Sequence, residues 1–431
     1  MSYLMQLSDR FPGLPAGVML KVDLLRSGVR PVTEIAIGNR YYHQHDQKSQ
    51  AAAAPHRQGS VQLPDGSHVF VTQNPHSPFA LRVDAESRVW LTRDGERSGT
   101  EAVVCQVTPG PQFQWTSKRT SRGTPLGTVF TPSLGGACGP IAAFLLRHCE
   151  FTVKGEECKF CSWVRMGRSV ELRPDVGDMR EALSEIHDEQ RSVGYLAFSG
   201  GSLFNRTKEA DAFVDYLGAA RETGVALPAT VAAIQALDRP DSVRLRDVGF
   251  DYVAYSMEVW SDQAWTEVVP GKVRSVGRAG WMDCLKQAVD VFGPGRVLCN
   301  FVAGVETAAP GVFSTPEDAA ESTLEGMRWC YENGIYPKYT VWIVPGGAAW
   351  GQHPPAPLEY YARFLPERQA LFSGYALPVP QIDCVRCLTE SCEADLARLD
   401  PSRFARGAAG THPWETLHPA AAHASAAVVE N

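Results

Sequence analysis

Short β-rich runs alternate with longer amphipathic segments from residue 141 to about residue 372, and this alternation limits the folds open to the chain. The candidate strands are 141–146, 195–199, 229–234, 252–256, 297–302 and 339–344. The candidate helices are 176–191, 208–222, 242–247, 280–292 and 316–333. Such alternation predicts an α/β fold in which helices cover a parallel sheet. Six units close only partly, so we expect a partial (β/α)6 barrel with functional groups at the carboxyl ends of its strands.

The segments on either side of this region have different patterns. Val69 and Val71, and likewise Val89 and Leu91, show the period of two that half-buried strands require. After the alternating region a Pro-interrupted stretch leads to a second group of cysteines, and an Ala-rich end follows. We predict four parts: a small β-rich N-terminal domain with a helical lead-in (1–130), the partial barrel (131–375), a cysteine-rich segment (376–404) and a flexible tail (405–431).

Composition and charge exclude several classes of function. The net charge of −7 provides no basic excess to neutralise phosphates, so we expect no nucleic-acid partner. No apolar stretch approaches the roughly 20 residues of a spanning helix, and the N-terminus lacks the features of a signal peptide. We therefore expect a cytoplasmic protein that does not bind a membrane. Its 11 cysteines include two tight groups, which in a reducing compartment indicates metal ligation before disulfide bonds.

Three cysteines lie in one loop directly after the first candidate strand. Eight residues separate Cys149 from Cys158, and two separate Cys158 from Cys161. Three thiolates in one loop can hold three irons of a [4Fe–4S] cube and leave the fourth iron open. The loop alone does not exclude a structural zinc site, in which His148 or Cys138 is the fourth ligand, or unconnected buried cysteines.

The second candidate strand ends in a turn that contains two glycines, Ser199-Gly200-Gly201-Ser202. Two glycines at a strand end let the backbone approach a ligand closely, and Ser202 adds a hydroxyl group. A plain turn between a strand and a helix has the same composition. The interpretation as a ligand-binding turn is stronger because the turn follows the cysteine loop by about forty residues, one strand further along the predicted sheet.

The cysteine loop and the glycine turn together resemble the radical S-adenosylmethionine (SAM) superfamily over residues 138–372. The usual motif has three residues between its first two cysteines, where this chain has eight, but the final gap of two matches. An aromatic residue stands before the third cysteine in the family, as Phe160 does here. Gly200 and Gly201 resemble the strand end that takes the amino group of SAM, with Ser202 in place of the family's acidic residue. The resemblance implies a radical SAM type of partial barrel.

Later strand ends are similar to the biotin-synthase-related branch of the superfamily. Ser256 and Glu258 stand where relatives hold the ribose and methionine parts of SAM, and strand alternation predicts that they share a face. Residues 300–306, with Val302 and Gly304, resemble the family's adenine-supporting motif, one residue shorter before its Glu. Pro345 begins a turn similar to the last strand end that lines the adenine. Glu258 is alternatively a helix-capping or ion-pairing carboxylate.

Three cations follow the fourth candidate strand, within residues 270–278. Two of them, Lys272 and Arg274, are candidates for binding a carboxylate of SAM or of the substrate, with bidentate geometry in the case of Arg. A solvated loop face explains the same residues equally well.

The second cysteine group contains Cys384, Cys387 and Cys392 at spacings of two and four. Three cysteines without an evident fourth ligand suit an auxiliary iron–sulfur cluster. A zinc site completed by Asp383 or by a histidine of the tail is the alternative.

The resemblance implies an enzyme that uses a [4Fe–4S] cluster on Cys149, Cys158 and Cys161 to cleave SAM reductively. The resulting 5′-deoxyadenosyl radical would abstract hydrogen from a small-molecule biosynthetic substrate, with flavodoxin or ferredoxin as the electron donor. The biotin-synthase-related features favour subsequent carbon–sulfur bond formation. The alternative is radical rearrangement, C–C bond formation or dehydrogenation of a natural-product precursor, with zinc on the C-terminal cysteines. A non-enzymatic zinc-binding scaffold is the remote alternative.

Overall fold

The structure is a computed structural model that describes residues 2–30, 59–95, 99–110, 113–132, 140–161, 173–190, 194–344, 348–382 and 388–404. The tail predicted for residues 405–431 lies outside the described residues. Within the described ranges, no helix has the length and apolar character needed to cross a membrane.

The larger of the two sheets within the described residues follows the predicted alternation. Its strands are β6 (Thr131–Pro132), β7 (Ile141–Leu146), β8 (Leu196–Gly200), β9 (Thr230–Ala233), β10 (Tyr252–Ala254), β11 (Val297–Ala303) and β12 (Tyr336–Val341). The spatial order is the sequence order, with β7 to β12 parallel and β6 antiparallel to β7 at one edge. The predicted α/β class with six parallel strands is therefore confirmed.

Helices connect these parallel strands. They are α5 (Val176–Gln190), α6 (Arg206–Arg221), α7 (Arg239–Val248), α8 (Asp262–Val268), α9 (Pro270–Ser275), α10 (Arg278–Phe292) and α11 (Pro316–Glu332), and α12 (Leu358–Gly374) follows β12. The N-cap of α11 is Thr315, whose side chain accepts a hydrogen bond from the N–H of Asp318, with Pro316 at the first helical position. The left-handed Gly334 directly follows the C-cap residue Asn333 of that helix.

Two of the parallel strands, β10 and β12, have a boundary that differs from the predicted one by more than one residue. β10 ends at Ala254, two residues before the predicted end, and Glu258 beyond it has a left-handed backbone with φ of 70°. β12 begins at Tyr336, three residues before the predicted start, because Tyr336 to Val341 pair with Leu298 to Ala303 of β11. The apolar residues after Val341 that suggested a later strand lie beyond its end.

The sheet curls around an open interior. Side chains from all six parallel strands line one cavity, which requires the strands to face a common axis. Four of these strands contribute alanine to its wall: Ala142, Ala197, Ala233 and Ala254. The residues next to them point outward and pack under the helices, as Ala143 and Ala232 do with no exposed surface. Because these four inward side chains are small, they leave open space inside the half-barrel.

The N-terminal part forms a separate antiparallel sheet. Two helices, α1 (Tyr3–Arg10) and α2 (Ala16–Ser27), precede β1 (Ser60–Gln62), β2 (His68–Phe70), β3 (Phe79–Val83), β4 (Val89–Asp94) and β5 (Glu101–Pro109). The strand order is β2-β1-β5-β4-β3. This arrangement matches the predicted β-rich part with a helical lead-in. Two short helices, α3 (Leu126–Val129) and α4 (Glu150–Val153), flank β7.

The C-terminal segment joins the two sheets through buried polar contacts. It contains α13 (Glu393–Leu399) and α14 (Pro401–Phe404). The buried ammonium of Lys21 on α2 donates to Asp395 at 2.6 Å and to the carbonyl of Leu388 at 2.7 Å. The N–H of Phe70 in β2 donates to the Thr389 carbonyl at 2.9 Å, and the N–H of Val341 in β12 donates to the backbone carbonyl of Glu390 at 3.0 Å. The segment is thus fixed beside the end of β12.

Candidate active site

A cavity of about 420 Å³ opens at the carboxyl ends of the six parallel strands. Its wall includes Cys149, Cys158 and Cys161, so the structure brings the three predicted ligands together. All three are half-buried, and none forms a disulfide bond. Within the described residues, no three His, Cys, Asp or Glu side chains are close enough together to hold a single metal ion.

Backbone hydrogen bonds fix the cysteine loop. The N–H of Cys161 donates to the carbonyl of Cys158 at 2.9 Å, which closes a tight turn between the last two cysteines. The N–H of Lys159 donates to Val268 at 2.9 Å, and the N–H of Trp350 donates to Lys159 at the same distance. The loop is therefore held by α8 on one side and by the residues after β12 on the other.

The Cys158 thiol has a shifted pKa. Burial raises its pKa well above the usual value, and the ammonium of Lys272 opposes this effect. The other two cysteines and Glu258 also raise the pKa of Cys158, because negative charges close to one another disfavour further ionisation. Thiols in this arrangement ionise when a metal binds, because the thiolate is the ligand form.

The glycine turn packs against the cysteine loop. A Cβ atom on Gly201 would overlap the carbonyl oxygen of His148 and lie 2.8 Å from the Cα of Cys149. A Cβ on Gly200 would lie 2.8 Å from the backbone nitrogen and oxygen of Leu146. The two glycines are thus required by contacts within the chain, whereas the sequence prediction attributed them to close approach of a ligand. Both residues still line the cavity.

The segment after β10 supplies a buried ion pair. The Lys272 ammonium donates to Glu258 Oε1 at 2.7 Å and to the carbonyl of Ser256 at 2.6 Å. Ser256, Glu258 and Lys272 all line the cavity. The shared location of Ser256 and Glu258 does not come from strand alternation, because β10 has ended and Glu258 is left-handed.

The other predicted cofactor-binding residues divide into two groups. Phe160, Ser199, Ser202 and Val302 line the cavity. Gly304 and Arg274 are not part of its wall. Gly304 has a φ of 101° and faces Tyr361 and Ala356 on the outer side of the sheet, and the Arg274 side chain is 56% exposed and pairs with Glu156 at 2.8 Å. Pro345 lies outside the described residues.

Only one of the three C-terminal cysteines is described. Cys392 is completely buried, burial raises its pKa far above the usual value, and its N–H donates to Tyr339 Oη at 2.9 Å. Cys392 is not part of the cavity wall, although its neighbour Glu390 is. Cys384 and Cys387 lie outside the described residues.

A buried polar chain at the cavity wall was not predicted from the sequence. Glu209 on α6 accepts a hydrogen bond from the N–H of Leu203 at 2.7 Å and another from the Gln235 amide. Gln235 in turn accepts from Ser275 of α9 at 2.9 Å. Burial raises the pKa of Glu209 to about 7. The chain links the loop after the glycine turn to the end of β9 and to α9, and only the three-dimensional structure brings these residues together.

Two further polar side chains come from the last two parallel strands. Asn300 belongs to β11 and Thr340 to β12, and both are part of the cavity wall. The cavity wall therefore mixes small apolar residues, the four alanines of β7 to β10, with the hydrogen-bonding groups of Asn300 and Thr340 on β11 and β12. Asn300 occurs within the predicted adenine motif, but the alternation of β11 was the only sequence signal that it points inward.

No family model and no curated protein matches the sequence. Among solved structures the chain is similar to methylornithine synthase (PylB), with a TM-score of 0.40 and 14% identity over 53% of this chain and 61% of that one. It is similar to the FeFe-hydrogenase maturase HydG from Carboxydothermus hydrogenoformans, with a TM-score of 0.39 and 14% identity over 54% and 50%. A radical SAM methyltransferase from Sphaerobacter thermophilus has a TM-score of 0.40 and 14% identity over 88% and 93%. The chain thus spans less than two thirds of the length of the first two proteins.

Proposed function

We propose that the protein is a radical SAM enzyme that acts on a small-molecule substrate. The observation that carries the proposal is the meeting of Cys149, Cys158 and Cys161 with the glycine turn in one cavity, at the carboxyl ends of six parallel strands. Residues far apart in the chain converge there, as a catalytic site on this type of fold requires.

The donor set fits a [4Fe–4S] cluster held by three cysteines. The three thiols line one wall of the cavity, and iron–sulfur clusters are bound by thiolates. With three ligands from the chain, one iron remains for SAM. When bound, the cluster and SAM supply a 5′-deoxyadenosyl radical, which abstracts a hydrogen atom from a carbon that ordinary acid–base chemistry does not activate.

The chain's own residues would orient SAM and exclude water. Lys272 is a cation in the cavity wall, held by Glu258 and by the Ser256 carbonyl, so its charge can attract the carboxylate of SAM. The hydroxyl groups of Ser199 and Ser256 line the same space and can bind the polar parts of the ligand. Phe160 and Val302 provide apolar surface at the wall, which removes water from the reacting atoms.

The second substrate would bind in the hollow interior below SAM. The four alanines leave room for an apolar part of this molecule, and Asn300 and Thr340 offer hydrogen bonds to a polar part. Glu390 brings a carboxylate from the C-terminal segment to the same cavity. Carbon–sulfur bond formation, an auxiliary cluster on the C-terminal cysteines and electron supply by flavodoxin or ferredoxin stay predictions from the sequence.

Anaerobic reconstitution with iron and sulfide tests the proposal. We expect a brown protein that forms 5′-deoxyadenosine from SAM in the presence of dithionite. Cys149→Ala, Cys158→Ala and Cys161→Ala should each lose this activity. Cys105→Ala is the matched control, because Cys105 lies in β5 of the N-terminal sheet, and it should retain both colour and activity. A colourless protein that contains only zinc, or three active cysteine variants, would contradict the proposal.

A further inference from the structure

A buried ammonium lies beside the predicted cluster ligands. The side chain of Lys272 is 9% exposed, and its Nζ atom lies 4.5 Å from the centroid of the Trp281 ring. Burial of an ammonium is unfavourable unless partners replace its water. Glu258, the Ser256 carbonyl and the Trp281 ring do so here. The positive charge is therefore fixed inside the cavity instead of moving in solvent.

Backbone contacts hold helix α9, which carries Lys272, against the cysteine loop. The N–H of Gly271, next to Lys272, donates to the carbonyl of Glu156 in the cysteine loop at 2.9 Å. Gly271 also lies directly against the Phe151 ring of α4, where a Cβ atom would not fit. Helix α9 and the cysteine loop are thus packed as one unit. Among the charged groups that affect Cys158, Lys272 has the largest influence, and Glu258 acts in the opposite direction.

The carboxylate partner is held at some conformational cost. Glu258 has a φ of 70°, which is unfavourable for a residue other than glycine. Its N–H donates to the Asn300 carbonyl at 2.9 Å, and its own carbonyl accepts from Val302 at 2.8 Å. These two bonds to β11 impose the left-handed backbone and direct the carboxylate towards Lys272. Such strain persists where the surrounding structure determines the conformation.

We infer that Lys272 and Glu258 form a fixed pair of charges that sets the reduction potential of the bound cluster, with Lys272 raising it and Glu258 lowering it. The inference rests on the proposed function. A one-electron donor adds one negative charge to the cluster on reduction, and a nearby fixed cation stabilises that reduced state. A nearby carboxylate has the opposite effect. Lys272 thus acts on the cluster through its positive charge, in addition to any contact with SAM.

A potentiometric titration of the reconstituted protein, followed by electron paramagnetic resonance without SAM, tests this inference. Lys272→Met should move the midpoint potential to more negative values, and Glu258→Gln should move it to more positive values. Lys272→Arg keeps the charge and should stay closest to the wild type. Lys154→Met is the control, because Lys154 is a cation of the cysteine loop that is exposed to solvent and screened by it.

The inference requires that the midpoint potential shifts in opposite directions in Lys272→Met and Glu258→Gln. A general loss of structure would not make the direction of the shift depend on the charge that was removed. Shifts in the same direction, or potentials equal to that of the wild type with full iron content, overturn the inference while leaving the proposed function intact. If Lys272→Met does not fold, Glu258→Gln decides alone through its positive shift. Failure of the wild type to bind iron would instead reject the proposed function, and the inference with it.

Discussion

The backbone N–H of Ser202 donates a hydrogen bond to the Sγ atom of Cys149 at 3.4 Å. A second bond runs in the opposite direction, from the N–H of Glu150 to the carbonyl of Ser202 at 2.8 Å. The Glu150 carboxylate also accepts from the N–H of Phe204 at 2.6 Å. The glycine turn after β8 and the cysteine loop after β7 therefore form a single unit, and a change in one should displace the other.

Substitution of Gly201 by Val should displace the first cysteine. Its Cβ would overlap the His148 carbonyl, which belongs to the backbone and cannot rotate away. Overpacking of this kind costs about 1–3 kcal/mol of stability. We expect the variant to bind less iron after reconstitution and to unfold at lower urea concentration, even without SAM.

The matched control for this prediction is Gly218→Ala in helix α6. A Cβ at Gly218 meets only Val248, at 3.9 Å, and Ala is favoured over Gly inside a helix by about 1 kcal/mol. That variant should be as stable as the wild type or more stable. Wild-type iron content and stability in Gly201→Val would show that the turn and the cysteine loop are not coupled.

Two neighbouring alanines of β9 test whether the half-barrel is hollow. Ala233 lines the cavity, whereas Ala232 is completely buried under the helices. Leu at position 232 should cost about 1–3 kcal/mol because the outer face is closely packed. Leu at position 233 extends into open space and should change the free energy of unfolding by less than about 1 kcal/mol. Urea denaturation measures both, and equal losses would mean that the interior is packed.

Much of the fold follows from the sequence because buried parallel strands and capped helices have strong local signals. The apolar run Ile141–Leu146 is fully buried, and its limits as a strand agree with the prediction. Helix α11 begins at the predicted Pro316, because its N-cap residue Thr315 and its first helical residue are adjacent in the sequence. The end of β10 could not be predicted, because the backbone of Glu258 is imposed by hydrogen bonds to the distant β11.

The site was predictable only where its residues are close together in sequence. Cys158 and Cys161 form a local turn, and the glycine turn is contiguous. Glu209 and Gln235 belong to different units of the barrel, so their hydrogen bond has no sequence signal. Arg274 illustrates the reverse case. It stands two residues after Lys272 on α9, yet its guanidinium lies outside the cavity wall and pairs with Glu156.

The buried carboxylate of Glu306, which follows β11 in the chain, predicts that the free energy of unfolding changes with pH. Burial raises the pKa of Glu306 from 4.5 to about 7, while hydrogen bonds from Thr323 and Tyr360 act against this shift. The native protein therefore keeps this proton at pH values where the unfolded chain has lost it. The stabilising contribution is complete below about pH 4.5 and is lost as the pH rises through about 7.

Glu306→Gln replaces the carboxylate by a neutral group of the same shape. We expect the variant to match the wild type at pH 4.5 and to be more stable at pH 8, by a difference on the order of 3 kcal/mol. Chemical denaturation at the two pH values measures it. Glu325→Gln removes an exposed carboxylate of α11 and should keep the wild-type pH dependence. The absence of a pH-dependent difference between Glu306→Gln and the wild type would argue against a protonated Glu306.

The C-terminal segment depends on the ion pair between Arg368 of α12 and Glu393 of α13. The guanidinium donates to Glu393 Oε1 at 2.9 Å, and the two side chains are only 1% and 3% exposed. Arg368→Met leaves a buried carboxylate without its partner, which should cost about 3–5 kcal/mol. Because this segment brings Glu390 to the cavity, we also expect faster proteolysis between residues 376 and 392.

A double variant separates the pairing from the packing. Arg368→Met combined with Glu393→Gln removes both charges, so it should recover most of the stability lost in the single variant. The control is Arg363→Met on the same helix, because Arg363 pairs with Glu321 at 3.1 Å with both side chains more than 40% exposed. Exposed pairs contribute at most about 1 kcal/mol. Equal losses in Arg368→Met and Arg363→Met, measured by urea denaturation, would show that the buried pair does not hold the segment at the cavity.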